Sequence, residues 1–345
     1  MTASRTYAPV SDRIAWKGPA LTNADWLTQV TPANIADMEA ALAAVRARGL
    51  PMEAVTKADF PLPSLQVRLV ELAREIEQGR GFALMRGLPV DRWGVEDATA
   101  IYWGISTHLG TPTSQSRRGN RMVAVKDAGL SAAELNVRGP QTNARLYYHS
   151  DFADIVGLLC IHPARSGGVS RICSSMAIYN ALLAAGRRDL VDALYDGYPF
   201  DRKGEEGPGI PPVSEAPVPM LSWHKDVLSF RYVPGWSETA TKRTGRPWTS
   251  LQNAAIDEVN RLSNLSEFYL DMDFQVGDVQ YLNNYSVLHS RTDFVDFPEP
   301  ERKRFLQRIW LRAELGRALA PEFDHLFGPA STRDGIPAVA ERQAA

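Results

Sequence analysis

The spacing of apolar residues changes several times along the chain, and each change predicts a different element. TPANIADMEAALAAVRARG (31–49) has a Pro near its start, apolar residues at three- and four-residue intervals and a terminal Gly, which predicts a helix. SLQVRLVELAREIEQG (64–79) and VEDATAIYWGISTHLG (95–110) repeat that pattern and predict two more helices, each stopped by Gly. Between them GFALMRGLPV (81–90) is a short apolar run before a turn, the mark of a buried strand. Strand-like segments follow in RMVAVKD (121–127), in LYYHSDF and IVGLLCIH (146–162), and in GGVSRICSS (167–175). SMAIYNALLAAG (175–186) and WTSLQNAAIDEVNRLSNL (248–265) return to helical spacing. FYLDMDFQVGDVQYLNN (268–284) and RFLQRIWLRAE (304–314) predict strands. Residues 187–250 are rich in Pro and Gly and read as irregular, with strand-like pieces such as VLSFRYVP (227–234).

Residues 1–25 read as an extended lead-in, and the Ala- and Pro-rich segment after 315 as a tail that frays. No internal repeat or low-complexity linker divides the chain, so one domain over 1–345 is expected, with a helical part to about 80 and a sheet core over about 81–315. Short strands framed by helices predict an α+β protein around an antiparallel jelly-roll or barrel core.

Composition narrows the function. With 44% hydrophobic and 23% charged residues, the chain has the make-up of a soluble globular enzyme. The net charge of −2 is spread along the chain, and the densest basic run, ERKR at 301–304, is too short for a nucleic-acid arm. Cys160 and Cys173 form neither a disulfide framework nor a metal-ligand spacing, which fits a reducing compartment. The N-terminus lacks the apolar segment of a secretory signal, and no apolar run reaches bilayer length. A cytoplasmic protein with a small-molecule substrate is expected, with no nucleic-acid or membrane partner; whether it forms a homo-oligomer stays open.

Three stretches carry candidate chemistry. In the first, His149 and Asp151 are two apart on an expected strand, so both side chains point to one face. Alone the triplet is as readily a capping His and a solvated Asp. In the second, GDVQYLNNYSVLHSRTDF (277–294), a further His lies 138 positions after Asp151, at 289. Two imidazoles and one carboxylate on one side of an iron leave coordination positions open, the facial triad of non-haem Fe(II) oxygenases. In the third, RFLQRIWLR (304–312), Arg304 and Arg308 share a strand face. Turned inward, two guanidiniums need anions to meet them; turned outward, they are ordinary surface charges, and periodicity permits either.

Taken together, YYHSDF, HPARSGGVS, NNYSVLHSRTDF and the R-x-x-x-R pair resemble the taurine dioxygenase (TauD/TfdA, clavaminate synthase-like) superfamily of Fe(II)/2-oxoglutarate-dependent dioxygenases, over about two thirds of the chain from near 81 to near 304. The resemblance implies a double-stranded β-helix, a jelly roll with helices packed outside. It implies that His149, Asp151 and His289 ligate iron, and that O₂ and 2-oxoglutarate are consumed with release of succinate and CO₂. Arg304 resembles the residue that clamps the far carboxylate of 2-oxoglutarate. Ser170, in Gly167-Gly168-Val169-Ser170, stands where the family has a Thr whose hydroxyl touches that carboxylate. Arg308 resembles a substrate-facing residue. The interval of 15 from His289 to Arg304 is longer than in the taurine enzyme, so the two arginine roles could be exchanged. Halogenating relatives have a small residue where Asp151 stands, so hydroxylation, or a related desaturation or cyclisation, of a small anionic or amino-acid-like substrate is expected.

Arg145 and Tyr147 are further candidates for substrate contact, each with an equally good surface or core reading, and Arg291 could orient the site. His108, His162, His224 and His325 read as structural. Two rival readings remain. A zinc hydrolase would also suit two His and a carboxylate, although it would have no use for a buried arginine. A turnover-dead binding protein on the same fold is the other.

Overall fold

The computed structural model describes residues 5–11, 13–130, 141–328 and 333–339. Eight α-helices are present among them: α1 (Asn23–Trp26), α2 (Pro32–Ala47), α3 (Gln66–Gln78), α4 (Val90–Thr107), α5 (Ser175–Ala184), α6 (Arg188–Asp196), α7 (Pro234–Thr244) and α8 (Ser250–Ser263). The ends follow local chemistry. Thr31 accepts from the Asn34 amide at the start of α2, with Pro32 at the first helical position, a cap worth about 1 kcal/mol. Helix α4 begins five residues before its predicted start and kinks at Gly94, whose φ of 75° is not helical. Two helices, α6 and α7, lie in the stretch read as irregular. Both are bracketed by the glycines and prolines that suggested irregular structure: α7 opens on Pro234, tolerated in a first turn, and closes on Gly245 in the left-handed region.

The strands are β1 (Leu27–Gln29), β2 (Phe82–Arg86), β3 (Gly110–Pro112), β4 (Met122–Val125), β5 (Leu146–His149), β6 (Ile155–His162), β7 (Ser166–Gly167), β8 (Ser170–Ser174), β9 (Leu221–His224), β10 (Val227–Phe230), β11 (Tyr269–Met272), β12 (Val279–Asn283), β13 (Val287–Arg291), β14 (Phe294–Val295) and β15 (Phe305–Ala313). A seven-stranded sheet runs β1-β2-β12-β6-β15-β3, with β4 also on β15, and a four-stranded sheet runs β11-β8-β13-β5. Apart from the parallel β1–β2 pair, the pairings in both sheets are antiparallel. The two open sheets face each other as a jelly roll, and no closed barrel forms among the described residues.

Alternation sorts the side chains. On β2, Phe82 and Leu84 enter the core between the sheets, while Ala83 and Met85 pack on the helices α2 to α4. On β6, Val156 and Cys160 point inward, and Ile155, Leu159 and Ile161 outward. Being buried on both faces explains why IVGLLCIH reads as a continuous apolar run rather than an alternating one. A third cluster joins α5, α6 and α8 to the back of the small sheet. Both cysteines are buried free thiols. No helix among the described residues is long and apolar enough to cross a membrane.

The segment expected to fray is tied down in part. Arg333 donates to Asp154 Oδ2 from Nε at 2.8 Å, the Ile336 amide donates to the Ser114 carbonyl at 3.0 Å, and Ile336 is fully buried in the core between the sheets. Its lone isoleucine, with a charge three residues earlier, outweighs the weak propensity of its neighbours.

Candidate metal and cosubstrate site

Strand β15 brings the site together. Its inward residues, following Arg304 at the strand entrance, are Leu306, Arg308 and Trp310, while Phe305, Ile309 and Leu311 pack on the helices. The two arginines therefore face inward. They line a cavity with about 510 Å³ of empty space, its mouth included, together with His149, Asp151, Ser170, His289, Arg291 and an apolar wall of Val125, Leu146, Val156, Leu158, Phe274 and Leu306.

His149, Asp151 and His289 each offer an atom within 4.8 Å of the others. His289 lies directly opposite His149 across the β13–β5 pair, with ring centroids 4.2 Å apart, and its Nε2 is 3.9 Å from Asp151 Oδ2. Beyond that pair the register shifts, so that Arg291 faces Leu146. The extra residue on β5 is a bulge, which turns both Leu146 and His149 toward the cavity. The expected strand geometry for His149 and Asp151 needs one correction: β5 ends at His149, and Asp151 lies beyond it. Asp151 is aimed by its loop instead, since its amide donates to Asn284 Oδ1 at 2.9 Å and the Ser150 amide donates to the Tyr232 carbonyl at 2.7 Å.

The protonation states suit a cation. Burial, with the neighbouring His149 adding to it, lowers the His289 imidazole to about 3. Burial also lowers His149, whose Nδ1 sits 2.8 Å from the Tyr147 carbonyl and so carries the proton, leaving Nε2 free. Burial alone would raise Asp151, but the charge of Arg308, the two imidazoles and the Trp310 N–H together hold it at about 2. Two neutral imidazoles and one carboxylate are the donor set of a facial triad. His289 Nδ1 is buried without a hydrogen-bond partner. The residues present thus fit a ferrous ion.

Arg304 brings a further buried cation into the same cavity lining. Arg304 is 4% exposed, and its Nη1 has no hydrogen-bond partner. Leaving such a donor unmet in the dry interior costs on the order of 1–3 kcal/mol or more. Burial pulls the guanidinium down to about 10. Gly168 makes room for it: at φ 71°, a Cβ there would lie 3.1 Å from Arg304 Nε. Ser170 is buried on β8 and donates to Gln280 Oε1 at 3.2 Å.

Arg308, expected to face the substrate, lines the same cavity. Its Nη1 lies 3.4 Å from both oxygens of Asp151, and its Nε donates to Gln115 Oε1 at 2.7 Å. Gln115 Nε2 in turn donates to the carbonyls of Arg308 and Arg121, each at 2.9 Å. Arg291 lines the cavity but donates to the carbonyls of Thr142 and Ala144, and burial, followed by the charge of Arg304, lowers it to about 10. Arg145 and Tyr147 lie outside the cavity lining: Tyr147 is 65% exposed, and Arg145 stacks over its ring and bonds to Asn264. His108 is structural, with Nε2 on the Phe60 carbonyl at 2.8 Å. Sequence reasoning passed over Gln280, Asn284 and Trp310. For Trp310 a signal existed, because it has the same parity as Arg304 and Arg308.

Residues 45–310, more than three quarters of the chain, match the family described as taurine catabolism dioxygenase TauD, TfdA family. The chain belongs to this family of Fe(II)- and 2-oxoglutarate-dependent dioxygenases. It is similar to FR-33289 synthase of Streptomyces rubellomurinus (29% identity over 90% of this chain and 92% of that protein). It is also similar to the taurine hydroxylase-like protein SAT17 of Stachybotrys chartarum (28% identity over 94% of this chain and 86% of that protein). Among solved structures it shares its fold with asparagine oxygenase in complex with Fe(II), hydroxyasparagine and succinate (TM-score 0.65, 18% identity, 91% of this chain and 99% of that one). The same holds for the non-heme iron oxygenase OrfP in complex with Fe and α-ketoglutaric acid (TM-score 0.58, 15% identity, 83% of this chain and 93% of that one).

Proposed function

We propose that this dioxygenase hydroxylates an unactivated C–H bond of a small anionic or amino-acid-like substrate, with His149, Asp151 and His289 holding iron and Arg304 with Ser170 holding the far carboxylate of 2-oxoglutarate. The observation that carries this reading is the pairing of ends in one cavity: a three-donor cluster in the right protonation states at one, and a buried guanidinium with an unmet N–H at the other. When bound, the ferrous ion would activate O₂, the oxidant, with 2-oxoglutarate giving two electrons as it becomes succinate and CO₂ and the substrate C–H bond giving the other two.

The protein's own residues bind, aim and keep water out. Arg304 offers a fork suited to a carboxylate, and Ser170, from the facing sheet, is a hydroxyl-bearing residue of the same cavity lining. The six apolar residues of the lining exclude water from the reacting bond. Charge supports an anionic substrate. The lining carries three arginines and one aspartate; since a divalent ion and a doubly charged cosubstrate cancel, two positive charges remain in excess. The relatives solved with hydroxyasparagine and with hydroxyarginine support an amino-acid-like scaffold.

The test is a screen of amino acids, sulfonates, betaines and aryloxy acids for substrate-stimulated succinate release with matched O₂ uptake, followed by product mass. A gain of one oxygen in an anionic product is expected. Hydrolysis without O₂ uptake contradicts the reading and favours the zinc alternative.

A further inference from the structure

We infer that Trp310 is a positioning residue for the metal site: its indole N–H fixes the rotation of the Asp151 carboxylate, so that Asp151 presents a single oxygen to the ion. The inference rests on the reading of His149, Asp151 and His289 as the ligands. Two side chains donate toward this carboxylate, and they differ in kind. Arg308 Nη1 is 3.4 Å from each oxygen, long and symmetric. It supplies charge without preferring one rotation. Trp310 Nε1 donates to Oδ2 alone, at 2.9 Å. That bond distinguishes the two oxygens and sets the angle about Cβ–Cγ. The backbone beneath is fixed separately, by the Asn284 side chain on the Asp151 amide.

The donor is itself packed on several sides. Trp310 is fully buried and pairs with Val156 on β6, and its carbonyl accepts from the Thr113 amide at 2.8 Å. Phe152 meets its ring edge-on at 6.1 Å and 74°. Behind it runs the docked C-terminal segment, where a Cβ on Gly335 would lie 3.2 Å from Trp310 Cε3. A carboxylate free to turn can chelate an ion with both oxygens. The second oxygen would then occupy a position that 2-oxoglutarate or O₂ needs. Partners of this kind behind a ligand commonly change metal affinity or activity 10–100-fold.

The test replaces the Trp310 indole site-specifically with 3-benzothienyl, which keeps the ring size and exchanges the N–H for sulfur. This variant, Trp310→Phe, His149→Ala and the wild type are titrated anaerobically with Co(II) and followed by ligand-field absorption, with melting of the metal-free proteins as a folding control. Co(II) affinity is expected to fall about 10–100-fold in the benzothienyl variant, with a changed ligand-field spectrum and a cooperative melting transition retained by the metal-free protein. Trp310→Phe should move the same way; if it fails to fold, the benzothienyl variant decides alone. Affinity within twofold of wild type with an identical spectrum overturns the role of Trp310 and leaves the ligands standing. Wild type binding Co(II) no more tightly than His149→Ala overturns the ligand assignment, and the role of Trp310 with it.

Discussion

Arg304 and Arg308 stand four residues apart on one strand face and are buried to the same degree, 4% and 5% exposed. Their surroundings are opposite. Arg308 is engaged by Gln115 and Asp151, while Arg304, which also lines the cavity, has a buried Nη1 with no hydrogen-bond partner. A buried guanidinium that the protein has already engaged braces its partners. One left unmet is waiting for a ligand. The contrast supports the proposal that Arg304 rather than Arg308 meets 2-oxoglutarate, a choice their spacing alone left open.

The largest effects belong to the metal end. His149→Ala and Asp151→Ala are expected to abolish Fe(II)-dependent succinate release, since each removes one of three donors; retained turnover in either would dissolve the distinction between the ends. Next comes Arg304→Ala, which should weaken 2-oxoglutarate binding by roughly 2–5 kcal/mol, read as a rise in its KM with a smaller change in kcat. Arg308→Ala should act instead on metal affinity and kcat, by roughly 10–100-fold, with the 2-oxoglutarate KM little moved. If the KM effect appears with Arg308→Ala and not with Arg304→Ala, the two roles are exchanged.

A smaller effect, on stability rather than turnover, lies behind the cavity. Glu77 on α3 is buried, and its Oε1 accepts from Asn283. Burial, followed by the charge of Asp154, raises its carboxyl from 4.5 to about 7. The folded protein therefore holds this proton more tightly than the unfolded chain does. Stability from this group is fully present below about pH 4.5 and is lost as pH rises through about 7, by up to about 3 kcal/mol. Glu77→Gln should flatten that fall, as measured by urea unfolding between pH 5 and 8, with turnover unchanged.

Much of this was legible in the sequence where a pattern is local. Alternation placed Arg304 and Arg308 on one face, and the helices with clean Gly or Pro boundaries formed close to where they were read. The two imidazoles and the carboxylate were legible as a set, but the way they meet was not. Asp151 depends on Asn284, 133 residues away, and His149 turns inward through a bulge that no spacing rule announces. Helices α6 and α7 were hidden because Pro and Gly mark both the ends of helices and their absence. Trp310 drew no reading of its own, because tryptophan in an apolar strand is usually core; its bond to a carboxylate from another element is what points to a second task.

The most direct test is an anaerobic titration of the metal-free protein with Fe(II) and then 2-oxoglutarate, followed by the visible charge-transfer absorption of the iron–2-oxoglutarate chelate. The band is expected in the wild type, absent in His149→Ala, and shifted to higher 2-oxoglutarate concentration in Arg304→Ala. A band of equal strength in His149→Ala, or none in the wild type, would contradict a ferrous ion held by these three side chains.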